Sequence, residues 1–263
     1  MVPRSTALIF GLLAFCNPAR ADELIVVGTG DGVEMLQAVA RRFRDVEPSI
    51  DVKIPPSIGS GGGIAAVGSG TAKLARVARV LTDAERARGL VYVPVAKISC
   101  AFFVHPSAGI TQLSGEQLAG IYTGRFGNWK EVGGADQRIR VVRREESDST
   151  LTTLRATMPG WRELAITERS KTATSTQEAV ETVRLTEGAI GFGPYSRLLD
   201  IGMQVLKIDD LHPSDARYAS SGEVAYVYKQ GALTPEAEKF IAFTRIPDAG
   251  NVIRDFGAIP ITP

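Results

Sequence analysis

The sequence predicts an α/β fold with a partly parallel sheet, and three observations carry that prediction. Short β-rich runs alternate with stretches of helical periodicity, glycines crowd the connections, and two strand–loop–helix units follow one another at the start. In such a fold the loops that follow the strands gather at one edge of the sheet, where ligands usually sit. The 263 residues, 44% of them hydrophobic, suffice for one large domain or two small ones.

The first residues are not part of the fold. Arg4 precedes the apolar run Ala7–Phe15, and Ala19-Arg20-Ala21 is an A-x-A cleavage site, so residues 1–21 read as a secretory signal peptide too short to span a membrane. Leu13-Ala14-Phe15-Cys16 has the outline of a lipoprotein box, but Phe15 is too bulky for it. Export to the periplasm or another extracytoplasmic space, without a lipid anchor at Cys16, is therefore expected. Cleavage leaves Cys100 as the one cysteine, which excludes an intramolecular disulfide. Its apolar neighbours make it a buried, inert thiol. With 30 Lys+Arg against 29 Asp+Glu, nothing favours nucleic acid as a partner.

Along the chain, Leu24–Val27 is a strand, and Met35, Leu36, Val39, Phe43 and Val46 recur at helical spacing until Pro48. Ile50–Ile54 alternates as a second strand. A further strand is expected over 74–80, a turn of helix from Thr82, and strands over 91–96 and 98–104. Ser114–Gln117 and Ser175–Glu178 are capping boxes, each opening a helix. A strand over 139–143 leads through Arg144–Thr150 into a helix with Leu151, Leu154 and Met158. Strands over 189–192 and 224–228, and a helix begun by Thr234-Pro235, complete the pattern.

One loop has chemistry of its own. Ser60-Gly61-Gly62-Gly63 runs into a helix, and glycines let backbone N–H groups approach a ligand closely. The helix adds partial positive charge at its N-terminus, so the loop reads as an anion seat.

The segment Leu113 to Gly134, with a capped helix, an aromatic-x-Gly turn and then Asn128-Trp129-x-x-x-Gly133-Gly134, resembles the substrate-binding proteins of phosphate ABC importers. Ser60–Gly63, Arg144-Glu145, Gly188–Phe192 and Gly257–Pro260 fall in the family's order, and the resemblance covers nearly all of the chain after residue 21. It implies a two-domain periplasmic-binding-protein fold of type II, with two hinge crossovers and a cleft between the domains. Domain one would hold residues 22–103 and 224–263, and domain two residues 104–223. It also implies an ABC permease as partner, a monomer, and no cofactor or metal.

Carried over by the resemblance, the ligand-binding residues are Thr29, Gly30, Asp31, Ser60, Gly61, Gly62, Arg79, Arg144, Asp148, Ser149 and Thr150. Four of them depart from the family pattern or vary within it. Asp148 and Ser149 stand where the family has serine then glycine, Asp31 where a small hydroxyl residue is common, and Arg79 where relatives carry aspartate or arginine. Asp31 or Asp148 is then a candidate proton acceptor, with Arg79 and Arg144 offsetting their charge. Read without the resemblance, both aspartates are helix caps and Arg79 is a surface residue. Trp129 and Asn128 pin a turn, and His105 and His212 have no role.

The expected function is an extracytoplasmic receptor for an oxyanion, most simply phosphate. The alternative is a degenerate member that senses a ligand or acts as an interaction protein. Catalysis ranks last, because no nucleophile–base pair or metal-ligand cluster is legible.

Overall fold

The computed structural model describes residues 22–261 apart from Ala216, so the signal-peptide assignment to residues 1–21 and Cys16 lie outside the described residues. The chain begins with β1 (Asp22–Gly28), α1 (Val33–Val46), β2 (Ile50–Lys53), α2 (Gly59–Gly68) and β3 (Leu74–Val77). β1 pairs in parallel with both β2 and β3, so α1 and α2 lie on crossover connections. Of the residues at helical spacing α1 buries Met35, Leu36, Val39 and Phe43 but leaves Val46, in its last turn, exposed with Arg41 and Arg44. α2 packs close to β1: Gly28 stands at φ 132°, and a Cβ on Gly63 would lie 2.9 Å from its Cα.

A short helix, α3 (Asp83–Ala87), closed by the capping box of Thr82 and Glu85, leads into β4 (Leu90–Val104). The sequence reads two strands here; there is one of 15 residues. Pro94 lies in its interior at a register shift opposite Val224/Ala225, where a missing N–H breaks no regular ladder.

The chain continues through β5 (Gln112–Leu113), α4 (Gly115–Thr123), β6 (Arg140–Arg144), α5 (Ser149–Thr157), β7 (Ser170–Ala173), α6 (Thr176–Leu185) and β8 (Ala189–Pro194). The Ser114 box closes α4 reciprocally with Gln117. Ser175 caps α6 from one side only, because Glu178 turns to the Thr174 N–H and hydroxyl instead. Trp129, fully buried, starts a 3-10 turn and donates its indole N–H to the Gly188 carbonyl at 2.9 Å. The described chain ends with β9 (Gln204–Val205), β10 (Lys207–Ile208), β11 (Ser221–Lys229), α7 (Pro235–Phe243), α8 (Pro247–Asp255) and β12 (Ile259–Pro260).

The main sheet runs β2-β1-β3-β11-β4-β8-β6-β7, and β4 is its spine. Leu90 to Ser99 of β4 pair with β11, whereas Cys100 to Val104 pair with β8. Apolar clusters cover both faces on each side of this change of partner. Leu36, Phe43, Phe240 and Ile253 pack over one face of the first half, and Ile64, Val67, Val77 and Val227 over the other. Phe102, Tyr122, Trp161 and Phe192 form an aromatic block on the second half, with Phe103, Val142 and Val183 on its opposite face. Among the described residues no helix is long and apolar enough to cross a membrane.

Candidate functional site

Four connections converge where the two halves of the sheet meet: Thr29–Gly32 after β1, Ser57-Ile58 before α2, Glu145–Asp148 after β6, and Thr174-Ser175 before α6. Between the N-termini of α2 and α5 lies a cavity of about 310 Å³, lined among others by Thr29, Gly30, Ser60, Gly61, Gly62, Arg144, Asp148 and Ser149.

α2 has no side-chain cap. Its Gly59 N–H is taken by Ser57 Oγ at 3.2 Å. Helix geometry directs Gly62 N–H back to the Ile58 carbonyl, which leaves the Ser60 and Gly61 N–H groups without an intrahelical acceptor. Ser60 Oγ accepts the Ala78 N–H at 3.0 Å, so its own proton stays available to donate. α5 is capped by Asp148, whose Oδ1 accepts from Leu151 N–H at 3.1 Å, and Ser149 and Thr150 are its next first-turn amides. Two positive helix ends therefore border one cavity.

Arg144 ends β6 and is buried. Its Nε donates to the Ala173 carbonyl at 3.2 Å, Nη1 to Thr176 Oγ1 at 3.1 Å, and Nη2 pairs with Asp148 Oδ2 at 2.6 Å. Asp31 does not cap α1: Gly32 holds the cap position in a left-handed conformation, with no side-chain cap. The Asp31 carboxylate instead accepts hydroxyl bonds from Thr176 at 2.9 Å, Thr150 at 3.2 Å and Ser149 at 3.4 Å.

Asp148 pairs directly with the Arg144 guanidinium, whereas Asp31 reaches it only through the Thr176 hydroxyl. Burial lifts Asp31 above its ordinary range, against the opposing pull of the Thr176 hydroxyl and Arg144. Asp148 rises to about 6, first through burial and then through the charge of Asp31, despite its ion pair with Arg144. Arg79 does not help to neutralise them, which corrects the expectation for that residue. Its fork closes on Glu85 at 2.7 and 2.9 Å and pulls that carboxyl down to about 2. It lines a separate pocket with Lys97 and Glu223.

Residues 17–245 match the family model of a PBP superfamily domain. The phosphate-binding protein PstS of Bacillus subtilis is 30% identical over 251 residues, spanning 91% of this chain and 81% of that protein. The chain belongs to the PBP superfamily, among the substrate-binding proteins of phosphate ABC transporters. A Clostridium perfringens structure with bound phosphate, described as a phosphate ABC transporter substrate-binding protein, superposes with a TM-score of 0.83. It is 26% identical, and the match covers 92% of this chain and all of that one, 100%. An ABC-type phosphate transport receptor from Vibrio cholerae is also 26% identical, with a TM-score of 0.66 over 91% of this chain and 100% of its own. The architecture is the type II, two-crossover form of this superfamily.

Two residues of this PBP cleft escape a reading of the sequence. Thr176 looks like an ordinary first residue of a capped helix, yet its hydroxyl accepts a hydrogen bond from Arg144 and donates one to Asp31. Arg76 looks like a strand residue. It is fully buried in β3, and its fork donates to the carbonyls of Thr29 at 2.7 Å, Pro55 at 2.6 Å, and Val26. Burial lowers its pKa to about 10. Alternation along β3 gave no hint of it, because all four residues of that strand are buried.

Proposed function

We propose that this chain is an exported receptor that binds an oxyanion, phosphate, in the cavity between α2 and α5 and delivers it to an ABC permease. The observation that carries the reading is the pairing of two positive helix N-termini across one cavity, with the Arg144 guanidinium beside them. A buried oxyanion needs many donors, and this cavity offers the amides of Ser60, Gly61 and Ser149 with the hydroxyl of Ser60, while the Ser149 hydroxyl is held by Asp31. Thr29 and Gly30 close one side, with Gly62 behind the α2 amides and Asp148 at the edge, while Asp31 and Thr150 lie outside the cavity lining and line a neighbouring one. Relatives named phosphate-binding protein, and a similar structure holding phosphate, support that ligand. It is a binding protein and not an enzyme.

Residues 22–103 with 224–263 form domain one in this reading and residues 104–223 domain two, hinged where β4 changes partner from β11 to β8. Permease coupling, action as a monomer and periplasmic or other extracytoplasmic placement belong to the same proposal. Titration calorimetry of ligand-free protein tests it. Saturable one-site heat with phosphate, and weaker or no heat with sulfate and molybdate, is the expected result. Absence of phosphate heat overturns the assignment.

A further inference from the structure

A carboxylate already stands where the hydroxyl donors of the second half converge. Asp31 belongs to the first half, and all three hydroxyls it accepts from belong to the second. Arg144 feeds the same cluster through Thr176 Oγ1 at 3.1 Å, so a relay runs from guanidinium through hydroxyl to carboxylate. Gln177 Nε2 adds one more bond across this seam, to the Gly30 carbonyl at 3.3 Å. An anionic group that accepts several hydroxyl bonds near an arginine is chemically what a bound oxyanion would be. Each hydroxyl given to Asp31 is one withheld from a ligand.

We infer that Asp31 is an internal stand-in for the ligand anion: it latches the two halves together in the ligand-free protein, and an oxyanion displaces its carboxylate to reach Ser149, Thr150 and Thr176. The displacement step rests on the oxyanion reading above; the latch does not. A ligand that binds only the unlatched population loses apparent affinity in proportion to that fraction. Protonation of Asp31 weakens the latch, because a neutral carboxyl is a poorer acceptor and loses its attraction to Arg144. The charged and titratable groups around it are Arg144 from β6, Asp148 at the cap of α5, Cys100 from β4 and Glu223 from β11. Burial favours the protonated form of both aspartates, and the Asp31 charge reinforces this at Asp148, so lowering the pH opens the latch.

The test compares wild type with Asp31→Ser and, as a shape-conserving second variant, Asp31→Asn, by small-angle X-ray scattering without ligand and by phosphate titration. Wild type should have the same radius of gyration with and without phosphate, whereas Asp31→Ser should be expanded without ligand and contract when phosphate is added. At mildly alkaline pH the variants should bind phosphate roughly tenfold more tightly, and the gap should narrow as the pH is lowered and the wild-type latch takes its proton. A ligand-free wild type as expanded as the variants overturns the latch. Equal or weaker phosphate binding by both variants overturns displacement. Expansion of the variants with no oxyanion bound by any of the proteins keeps the latch and sinks the phosphate reading alone.

Discussion

Replacing Arg76 by Met should destabilise the protein by about 3 kcal/mol, read as a lower urea midpoint with an unchanged slope. The side chain is fully buried, and its fork reaches carbonyls of β1, the loop after β1, and the loop before α2. Methionine refills much of the volume but donates nothing, leaving those carbonyls buried and unpaired at roughly 1–3 kcal/mol each. Part of that loss is offset because a cation no longer has to be desolvated. Arg76→Lys should recover only part of the stability, since one ammonium cannot span carbonyls on separate segments as a planar fork does. A midpoint unmoved in Arg76→Met would show that the loops hold their shape without it.

Arg144→Ala should cost phosphate affinity about 100-fold or more, consistent with the 2–5 kcal/mol typical of truncating a buried, hydrogen-bonded charge. The change removes the one cation that lines the cavity among the described residues and also strips Asp148 of its partner at 2.6 Å. The Asp148 carboxylate would then border an anion site, with Asp31 buried nearby and only helix dipoles to oppose their charge. Arg144→Lys should fall between the two, because charge survives while the simultaneous grip on Ala173, Thr176 and Asp148 does not. Titration calorimetry on the folded variants reads this directly, and wild-type affinity in Arg144→Ala would remove the residue from the site.

Much of this architecture was legible in the sequence because it rests on local physics. Periodicity at Met35, Leu36, Val39 and Phe43, caps at Ser114, Asp148 and Thr234, and the glycines before Ile64 are each decided within a few residues. β4 was not, because Pro94 reads as a break until the bulge opposite it is seen. α8 went unread as well, although its Pro247 occupies a favoured first-turn position. The site divided along the same line. Of the residues carried over by the resemblance, Arg144, Ser60 and Ser149 line one cavity, whereas Thr150, expected there with them, turns its hydroxyl to Asp31 instead. The roles of Asp31, Thr176 and Arg76 depend on contacts between segments distant in sequence, 145 residues apart for Asp31 and Thr176. The direction of Asp31 turns on a neighbour, since Gly32 takes the cap position of α1 and frees the carboxylate for the cleft.

The seat itself is tested most directly by following backbone amide NMR signals during a phosphate titration. If the anion lies between the two helix ends, the amides of Ser60, Gly61, Ser149 and Thr150 should shift together and saturate at one common phosphate concentration. Shifts confined to the separate pocket of Arg79 and Lys97, or no shift at either helix end at saturating phosphate, would contradict it.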